Sequence, residues 1–520
     1  MAGFIEKNSL KFLLLILVIS AFFRFYNLQN FQYWAGDEEL LSGVVRRMIV
    51  NKQIAFISPN TNLGLSLGSF FHIVSAPLFL VAKLNPVIVL GIVPILGITT
   101  TFVVYLAGKA LAGRKLGLVA SFLYSSSFLT TLFDKRWWPL TSNFFLTSIA
   151  LLALFKIIKE KKYYYSIFIA IAAGFAGHAD PSLAVIAVAS LITFLIFKIS
   201  IFKKEFIPAY IILLIFIVPL ILFEAKHPGS IVGPLFKSFS KITPAITTPD
   251  VSSENTFNTA TATFARFFFI KPSNNAEYLM SSCAPCDPPL FGNFSILTIL
   301  ALILFPLFFI LKNKTYKSLI IIPYVFLFVF FISTEAFQAA FKLPIHQSYF
   351  TVIFPVILLL VSFSLIKIIK NNYALLVILT LFLTINLYTL FNSSYRYPLF
   401  QKEKLVQDLS KEIGSSNFSL YALGNSWFHG GGYTGLFILN NKHPKKSYIY
   451  KFYDWMYQAH SLYTVNPTEQ DQEKIVVIGP KGEIPNTNLN VLFSETVGNL
   501  EGKVLDNSDF SFDPETLGNL

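Results

Sequence analysis

Charge is scarce in this sequence of 520 residues. Only 13% of the residues are charged, whereas 54% are hydrophobic, and average soluble proteins carry about a quarter charged residues. A water-soluble core could not bury this much apolar surface, so the composition excludes an ordinary soluble protein. Much of the chain must instead be solvated by lipid.

Cysteine is scarcer still, with only Cys283 and Cys286 in the chain. Two cysteines exclude a disulfide framework, and a lone Cys-x-x-Cys pair is a poor zinc site. If their loop faces an oxidising compartment, we expect a local disulfide rather than two free thiols. We assign the pair no part in catalysis.

Twelve apolar stretches are long enough to cross or enter a bilayer, and several exceed the roughly 17 residues that a tilted span needs. The first, 11–28, lacks a small-residue cleavage site and is predicted to be a retained span rather than a signal peptide. The others lie near 66–84, 87–108, 116–133, 139–158, 163–177, 181–197, 206–223, 291–311, 318–334, 349–366 and 373–391.

Short basic runs predict the orientation of these stretches. Five clusters fall at every second connection from residue 108 onward, and cytoplasmic loops are enriched in Lys and Arg. If the N-terminus is also cytoplasmic, 66–84 cannot cross as a single span, and we interpret it as re-entrant or membrane-lying. Eleven crossings remain, with external loops at 29–85 and 225–290. The same bias explains the net charge of +13, so we expect no nucleic-acid partner.

The last 125 or so residues change character. Short β-prone runs occur at 418–423 and 474–478, with glycine-rich turn signals at 430–432 and 479–482. This length suffices for a small α/β domain. We therefore predict an all-α polytopic membrane domain over 1–393 and an external soluble α/β domain over 394–520.

Three consecutive carboxylates, Asp37 to Glu39, follow the first span and open an amphipathic helix. One interpretation is a plain helix start, because Asp is a favoured N-cap and Glu in the first turn suits the helix dipole. The other is functional, because carboxylates held at a membrane surface usually have a role. The apolar arc of this helix, which we expect to lie in the interface plane, comprises Leu40, Leu41, Val44, Val45, Met48 and Ile49.

Four runs resemble one family. The run 22–28 (FFRFYNL) with the Asp-Glu pair that follows is similar to the start of the protein O-mannosyltransferase and aminoarabinose transferase superfamily. The runs 134–139 (DKRWWP), 177–181 (GHADP) and 346–350 (HQSYF) resemble its later external loops. The resemblance implies a GT-C fold, a dolichyl- or undecaprenyl-phosphate sugar as donor, and inversion at the anomeric centre.

A single carboxylate suits such a donor. Glycosidases need two carboxyl groups, one of which protonates the leaving oxygen, but a phosphate leaves as an anion and needs no proton. One carboxylate can then take the proton from the acceptor hydroxyl. Because adjacent helical residues point about 100° apart, we assign Asp37 as the base and Glu38 as an orienting residue.

The sequence also departs from the family pattern, which places a Lys/His-Pro-Pro-Leu stretch after the amphipathic helix and an arginine before the next span. Here Phe70-Phe71-His72 and Asn85-Pro86 stand at those places. Basic groups should stabilise the departing phosphate. The candidates for this contact are His72, Lys83, Lys135 and Arg136, each of which could instead be a packed polar residue or a loop charge.

Two other loops offer sugar contacts. His346 and Tyr349 could line the sugar pocket or belong to an aromatic belt, and His178 could bind substrate or be a plain interface residue. Asp180-Pro181 is predicted to be a helix start. No metal ligands are assigned, and a requirement for a divalent cation stays open.

The favoured hypothesis is an inverting glycosyltransferase of the plasma membrane. It would move a monosaccharide from a polyprenyl-phosphate lipid to a hydroxyl of a protein, lipid or glycan at the external face. The alternatives are a lipid or sugar transporter and a scaffold that presents residues 394–520. Transporters place polar groups near the bilayer midplane, whereas the polar residues here gather at the external ends of the spans, which favours an interfacial active site.

Overall fold

We describe a computed structural model of the chain over residues 8–60, 66–233, 256–280, 287–312, 314–341, 346–423, 431–448 and 473–509. The cysteine pair at 283 and 286, residues 234–255 of the predicted loop 225–290 and Gly430 lie outside these residues.

Helices make up most of the described chain. In chain order they are α1 (Ser9–Phe25), α2 (Gly36–Val50), α3 (Phe70–Val81), α4 (Pro86–Ile92), α5 (Pro94–Ala112), α6 (Arg114–Ser126), α7 (Phe128–Asp134), α8 (Ser142–Glu160), α9 (Ser166–Gly174), α10 (Ala184–Ile196), α11 (Ile207–Lys226), α12 (Thr256–Arg266), α13 (Asn293–Lys312), α14 (Lys314–Phe341), α15 (Phe354–Ile368), α16 (Asn372–Phe391), α17 (Leu399–Ile413) and α18 (Tyr433–Leu439).

Several of these helices suit a bilayer. Within the described residues, five helical segments are long and apolar enough to cross a membrane, or six if the bent pair α6–α7 is one span. The five segments are Pro86–Ala112, Pro139–Glu160, Lys204–Lys226, Leu319–Gln338 and Asn372–Phe391. Shorter apolar helices, α3, α9, α10 and α15 among them, accompany these segments. The chain is thus a multi-pass membrane protein, while the number of eleven crossings stays a prediction.

One predicted stretch, 116–133, is broken in the structure. Helices α6 and α7 meet at an angle of 71°, and the break falls in a run of three serines. The Ser126 hydroxyl donates to the carbonyl of Phe122, while Ser127 caps α7 by accepting from the Thr130 N–H. Serine side chains that bond the backbone locally compete with continued helix, so the serine run accounts for the bend.

The chain divides into two compact units, Met1–Tyr26 with Val93–Ser394 and Asn27–Ile92 with Tyr395–Leu520. We call them the helical unit and the mixed unit. The predicted division assigned 29–85 to the N-terminal domain, whereas the structure groups these residues with the C-terminal ones. Backbone hydrogen bonds are the reason, because the N–H groups of Tyr395 and Leu399 donate to the carbonyls of Asn30 (3.3 Å) and Gln32 (2.9 Å).

The mixed unit contains a five-stranded sheet of order β4-β3-β5-β7-β6 and a separate antiparallel pair, β1-β2. Strand β3 is parallel to β4 and β5, whereas β7 is antiparallel to β5 and β6. The two predicted strands, 418–423 and 474–478, are confirmed as β3 and β5. The strands are β1 (Ile57–Asn60), β2 (Ser66–Gly68), β3 (Phe418–Ala422), β4 (Lys446–Tyr448), β5 (Lys474–Pro480), β6 (Val491–Val497) and β7 (Leu500–Asp506).

Helix α17 packs on β6 and β7 of this sheet. Its buried face includes Leu405 and Leu409, and a Cβ on Gly502 in β7 would lie 2.7 Å from Leu409 Cδ1. A larger residue at that strand position would therefore require the Leu409 side chain to move. The sheet and α17 together form the small α/β part predicted near the C-terminus.

Candidate active site

The carboxylate run opens α2 as predicted, but Asp37 is not the helix cap. Ala35 holds the cap position with extended backbone, and the helix begins at Gly36. The Ala35 N–H donates to Glu38 Oε2 at 3.2 Å, and the Glu38 side chain is fully buried. Asp37 is half-buried in the first turn. The two carboxylates thus differ in environment, with Glu38 bound to the backbone that leads into the helix.

Glu39, which the sequence reasoning did not single out, is bound by two backbone N–H groups near the C-terminus. Its Oε2 accepts the Gly432 N–H at 2.8 Å and its Oε1 accepts the Gly435 N–H at 2.7 Å. Burial raises the pKa of the Glu39 carboxyl above its usual range, although these N–H groups and Lys402 oppose the shift. The carboxylate therefore joins α2 to the start of α18.

Lys402, in the first turn of α17, was also missed. Its side chain is fully buried, and the ammonium donates to the carbonyls of Trp34 at 2.7 Å and Gly431 at 2.8 Å. The ammonium also lies 5.0 Å from the centre of the Tyr433 ring. The contact with Trp34 fixes the backbone three residues before Asp37.

The other candidates of the mixed unit lie on and after α3, which packs against α2. His72 is 1% exposed. Lys83 is exposed and follows the end of α3 with a positive φ of 51°. Lys83 is therefore open to a ligand, while His72 is enclosed by protein.

In the helical unit, the run 134–139 begins with a buried ion pair. Asp134 Oδ2 lies 2.5 Å from Arg24 Nη2 and 2.9 Å from Arg24 Nε. The Tyr124 hydroxyl donates to the same carboxylate at 3.0 Å. Arg24 and Asp134 were both part of the family resemblance, in runs that are 110 residues apart. The structure joins the two runs directly.

The two basic residues that follow are both buried. The Lys135 ammonium donates to the Tyr26 carbonyl at 3.1 Å, and burial and the charge of Arg24 lower the pKa of Lys135 to about 7. The Arg136 guanidinium stacks 3.8 Å from the centre of the Trp138 ring, and the Thr141 hydroxyl donates to the Arg136 carbonyl. Trp138 thus packs on the guanidinium, while Thr141 holds the Arg136 backbone.

His178 is engaged with a neighbouring helix. Its Nε2 lies 2.7 Å from the Phe216 carbonyl of α11, and its ring is 5.4 Å from the Phe216 ring. His178 is 2% exposed. This contact favours a packing role over substrate binding.

His346 and Tyr349 lie together, with ring centres 5.4 Å apart. Burial lowers the pKa of His346 to about 4, so the ring is neutral near pH 7 and cannot neutralise a phosphate. Among the described residues, His346 Nδ1 has no hydrogen-bond partner. A neutral imidazole with an unused nitrogen suits a sugar hydroxyl better than an anion.

Asn143, another residue that the sequence reasoning missed, connects these two loops. Its amide donates to Asp180 Oδ2 at 2.5 Å and to Thr351 Oγ1 at 3.0 Å. Asp180 also accepts the Ser182 N–H, which confirms the predicted helix start. Asn143 thus connects the histidine loop at 178–181 with the tyrosine loop at 346–352.

The predicted site residues fall into two sets. Asp37, Glu38, His72 and Lys83 belong to the mixed unit; Lys135, Arg136, His178, His346 and Tyr349 belong to the helical unit. Among the residues that the structure describes, no group of three or more His, Cys, Asp or Glu side chains could hold a metal ion.

Sequence signals for the missed residues differ. Lys402 lies on the apolar stripe of α17, between Leu399 and Leu405, where a lone charge requires a buried partner. Glu39 and Asn143 carry no comparable local signal. The partners of Glu39 are almost 400 residues away in the chain, and those of Asn143 are 37 and 208 residues away.

Comparison with solved structures identifies the fold. ArnT from Cupriavidus metallidurans in the apo state matches with a TM-score of 0.59 and 10% identity, over 99% of this chain and 100% of that one. ArnT bound to undecaprenyl phosphate matches with a TM-score of 0.55 and 10% identity, over 95% and 97%. No protein-family model and no curated protein matches the sequence. The chain has the GT-C fold, mostly helical with a small sheet near the C-terminus, so the predicted fold class is confirmed.

Proposed function

We propose that this protein is an inverting glycosyltransferase that moves a monosaccharide from a polyprenyl-phosphate donor to a hydroxyl acceptor at the external membrane face. The GT-C fold is the observation that carries the proposal, because it extends over nearly the whole chain and is shared with a protein solved with undecaprenyl phosphate bound. The apolar helices provide the setting that a lipid donor requires.

In the proposed reaction Asp37 is the general base. The acceptor O–H gives its proton to the Asp37 carboxylate while the oxygen attacks the anomeric carbon from the face opposite the phosphate. The bond between that carbon and the phosphate oxygen breaks, and the polyprenyl phosphate leaves with the electron pair. Asp37 then returns the proton to water. The partial exposure of Asp37 supports this role, since the base must reach the acceptor.

The charge of each remaining polar residue decides the role that we propose for it. Arg136 and Lys135 are proposed to bind the donor phosphate, with Lys83 and His72 as further candidates. Arginine suits this task because its forked guanidinium binds two phosphate oxygens. His346 and Tyr349 are proposed to contact the sugar, because the neutral His346 ring offers hydrogen bonds without charge. Glu38 is proposed to orient the turn that carries Asp37.

The test replaces the base. Asp37→Asn keeps the size of the side chain and removes its basicity, so turnover should fall by roughly 10²–10⁴-fold, as is typical of general-base loss. Glu38→Gln should cost less, since one oxygen still accepts from Ala35. The assay presents purified protein with a panel of radiolabelled undecaprenyl- and dolichyl-phosphate monosaccharides and measures transfer to acceptors. Wild-type transfer by Asp37→Asn would remove Asp37 from the mechanism.

A further inference from the structure

Residues near the C-terminus contact the backbone that leads into Asp37. Lys402 donates to the Trp34 carbonyl, and the same ammonium holds the Gly431 carbonyl. One buried ammonium therefore ties the residues before α2 to the residues before α18. All of these groups belong to the mixed unit.

The approach between the two segments leaves no room for a side chain. A Cβ on Gly431 would lie 2.5 Å from the Gly36 nitrogen and 2.7 Å from Gly36 Cα. Gly432 has a φ of +96°, and a Cβ there would lie 2.7 Å from Trp34 Cδ1. Only glycine fits at either position, and Gly36 immediately precedes Asp37.

Glu39, which follows Asp37, makes a second contact between the same two segments. Its two carboxylate oxygens each accept one backbone N–H, from Gly432 and Gly435. The residues two positions before and two positions after Asp37 are therefore both hydrogen-bonded. Ala35 is bound by Glu38, and Glu39 is bound by the start of α18. We call the contacts of Lys402, Gly431 and Glu39 the carboxylate clamp.

Stability alone is a poor explanation for this clamp. Taking an ammonium and a carboxylate out of water is costly, and well-packed apolar side chains often stabilise a fold as well or better. Buried polar groups are best attested where they fix one arrangement among several. Here the arrangement they fix is that of the turn on which Asp37 stands.

We propose that the C-terminal α/β part is a positioning element for Asp37, and that Lys402 and Glu39 are positioning residues for the reaction. This inference rests on the proposed function. A base must lie within hydrogen-bond reach of the proton it removes, and a misplacement of about 1 Å can cost roughly 10²-fold in rate. The clamp opposes such a displacement by binding the backbone before Asp37 and the side chain of Glu39 after it.

The first experiment compares Lys402→Met with Lys411→Met, the same substitution at an exposed position of the same helix. We expect Lys402→Met to lower kcat by roughly 10²-fold with little change in donor KM, because an interaction that serves the transition state is lost. Lys411→Met should match the wild type. Equal kcat values for the two variants would overturn the proposal.

A double variant separates positioning from general loss of structure. If Lys402 acts through Asp37, Lys402→Met should lower kcat no further in an Asp37→Asn background, because interacting residues are non-additive. A purely structural role would lower kcat by the same factor in both backgrounds, and that result would contradict the proposal. If Lys402→Met does not fold, Glu39→Gln is used, with the exposed Glu412→Gln as its control.

Amide hydrogen exchange tests the clamp without any substrate. Full-length Lys402→Met in detergent should exchange faster than Lys411→Met over residues 34–40, and unchanged exchange there would overturn the clamp. This readout keeps the two proposals distinguishable. A wild-type protein that transfers no sugar from the donor panel would defeat the proposed function, while exchange would still decide whether the C-terminal part holds the turn.

Discussion

Three adjacent carboxylates at the start of α2 have three environments. Asp37 is half-buried, Glu38 is buried on the Ala35 N–H, and Glu39 is buried on two N–H groups of another helix. The rotation of about 100° between neighbours on a helix separates their directions. The sequence suffices to predict that the side chains of Asp37 and Glu38 point in different directions. It does not reveal which carboxylate faces protein, because that depends on partners almost 400 residues away in the chain.

Arg136 offers a test of phosphate binding at the scale of one residue. The guanidinium is stacked on Trp138 and carries a fixed charge, so Arg136→Ala should raise donor KM strongly, by roughly 10-fold or more. Arg136→Lys should restore only part of the affinity, because an ammonium cannot form the forked contact. Donor KM and kcat are measured for both variants. Unchanged constants in Arg136→Ala would remove it from the site.

The lowered pKa of Lys135 predicts a pH dependence. With a pKa of about 7 in the folded protein, Lys135 is mostly protonated at pH 6 and mostly neutral at pH 8. If its charge helps to hold the donor phosphate, donor KM should rise across this interval. Arginine stays charged throughout, so Lys135→Arg should flatten the rise if it folds.

The dependence of protein stability on pH gives an independent test of the lowered pKa of Lys135. The unfolded lysine keeps its proton up to about pH 10.4, whereas the folded one loses it near 7. The unfolded state therefore binds more protons between these values, and this group should make stability increase with pH there. The stability of the wild type and of Lys135→Met is measured by thermal unfolding between pH 6 and 9. If stability depends on pH in the same way in both proteins, the lowered pKa of Lys135 is contradicted.

At the scale of elements, α5 approaches the Arg24–Asp134 pair through a glycine. A Cβ on Gly97 would overlap Arg24 Nε and lie 2.5 Å from Asp134 Oδ2. Gly97→Ala should therefore displace the buried pair and lower stability by about 1–3 kcal/mol, as overpacking usually does. Gly91→Ala is the matched control, because a Cβ there meets nothing within 4 Å. The melting temperatures of Gly97→Ala and Gly91→Ala are measured in detergent. Equal values would contradict the close packing of Gly97 on the Arg24–Asp134 pair.

Elements with strong local patterns were predictable. The amphipathic start of α2, the strands β3 and β5 and most apolar helices follow from periodicity and composition. The bend between α6 and α7 was not predicted, because serine also occurs within straight apolar helices. The grouping of 27–92 with the C-terminal residues was also missed. It depends on contacts such as that between Lys402 and Trp34, which are 368 residues apart, and no local pattern reports such pairs.

At the scale of the whole molecule, the mixed unit constrains the topology. Residues 27–92 and 395–520 form one compact unit, and we therefore expect the predicted loop 29–85 and the C-terminal residues on one side of the membrane. An even number of crossings must then lie between them. The basic clusters predict ten there, after one crossing by the first span, which is consistent with this requirement. The total of eleven stays a prediction.

Cysteine labelling tests both the shared side and its identity. In a background with Cys283→Ser and Cys286→Ser, the exposed positions Lys52 and Lys411 are changed to cysteine one at a time, with exposed Lys161 as the cytoplasmic control. A membrane-impermeant maleimide should label Lys52→Cys and Lys411→Cys in intact cells. Lys161→Cys should react only after permeabilisation, because its basic loop is predicted to be cytoplasmic. Labelling of Lys52→Cys and Lys411→Cys from opposite sides would contradict the mixed unit itself. Labelling of both only after permeabilisation would instead keep the unit and reverse the orientation, which would place Asp37 on the cytoplasmic face.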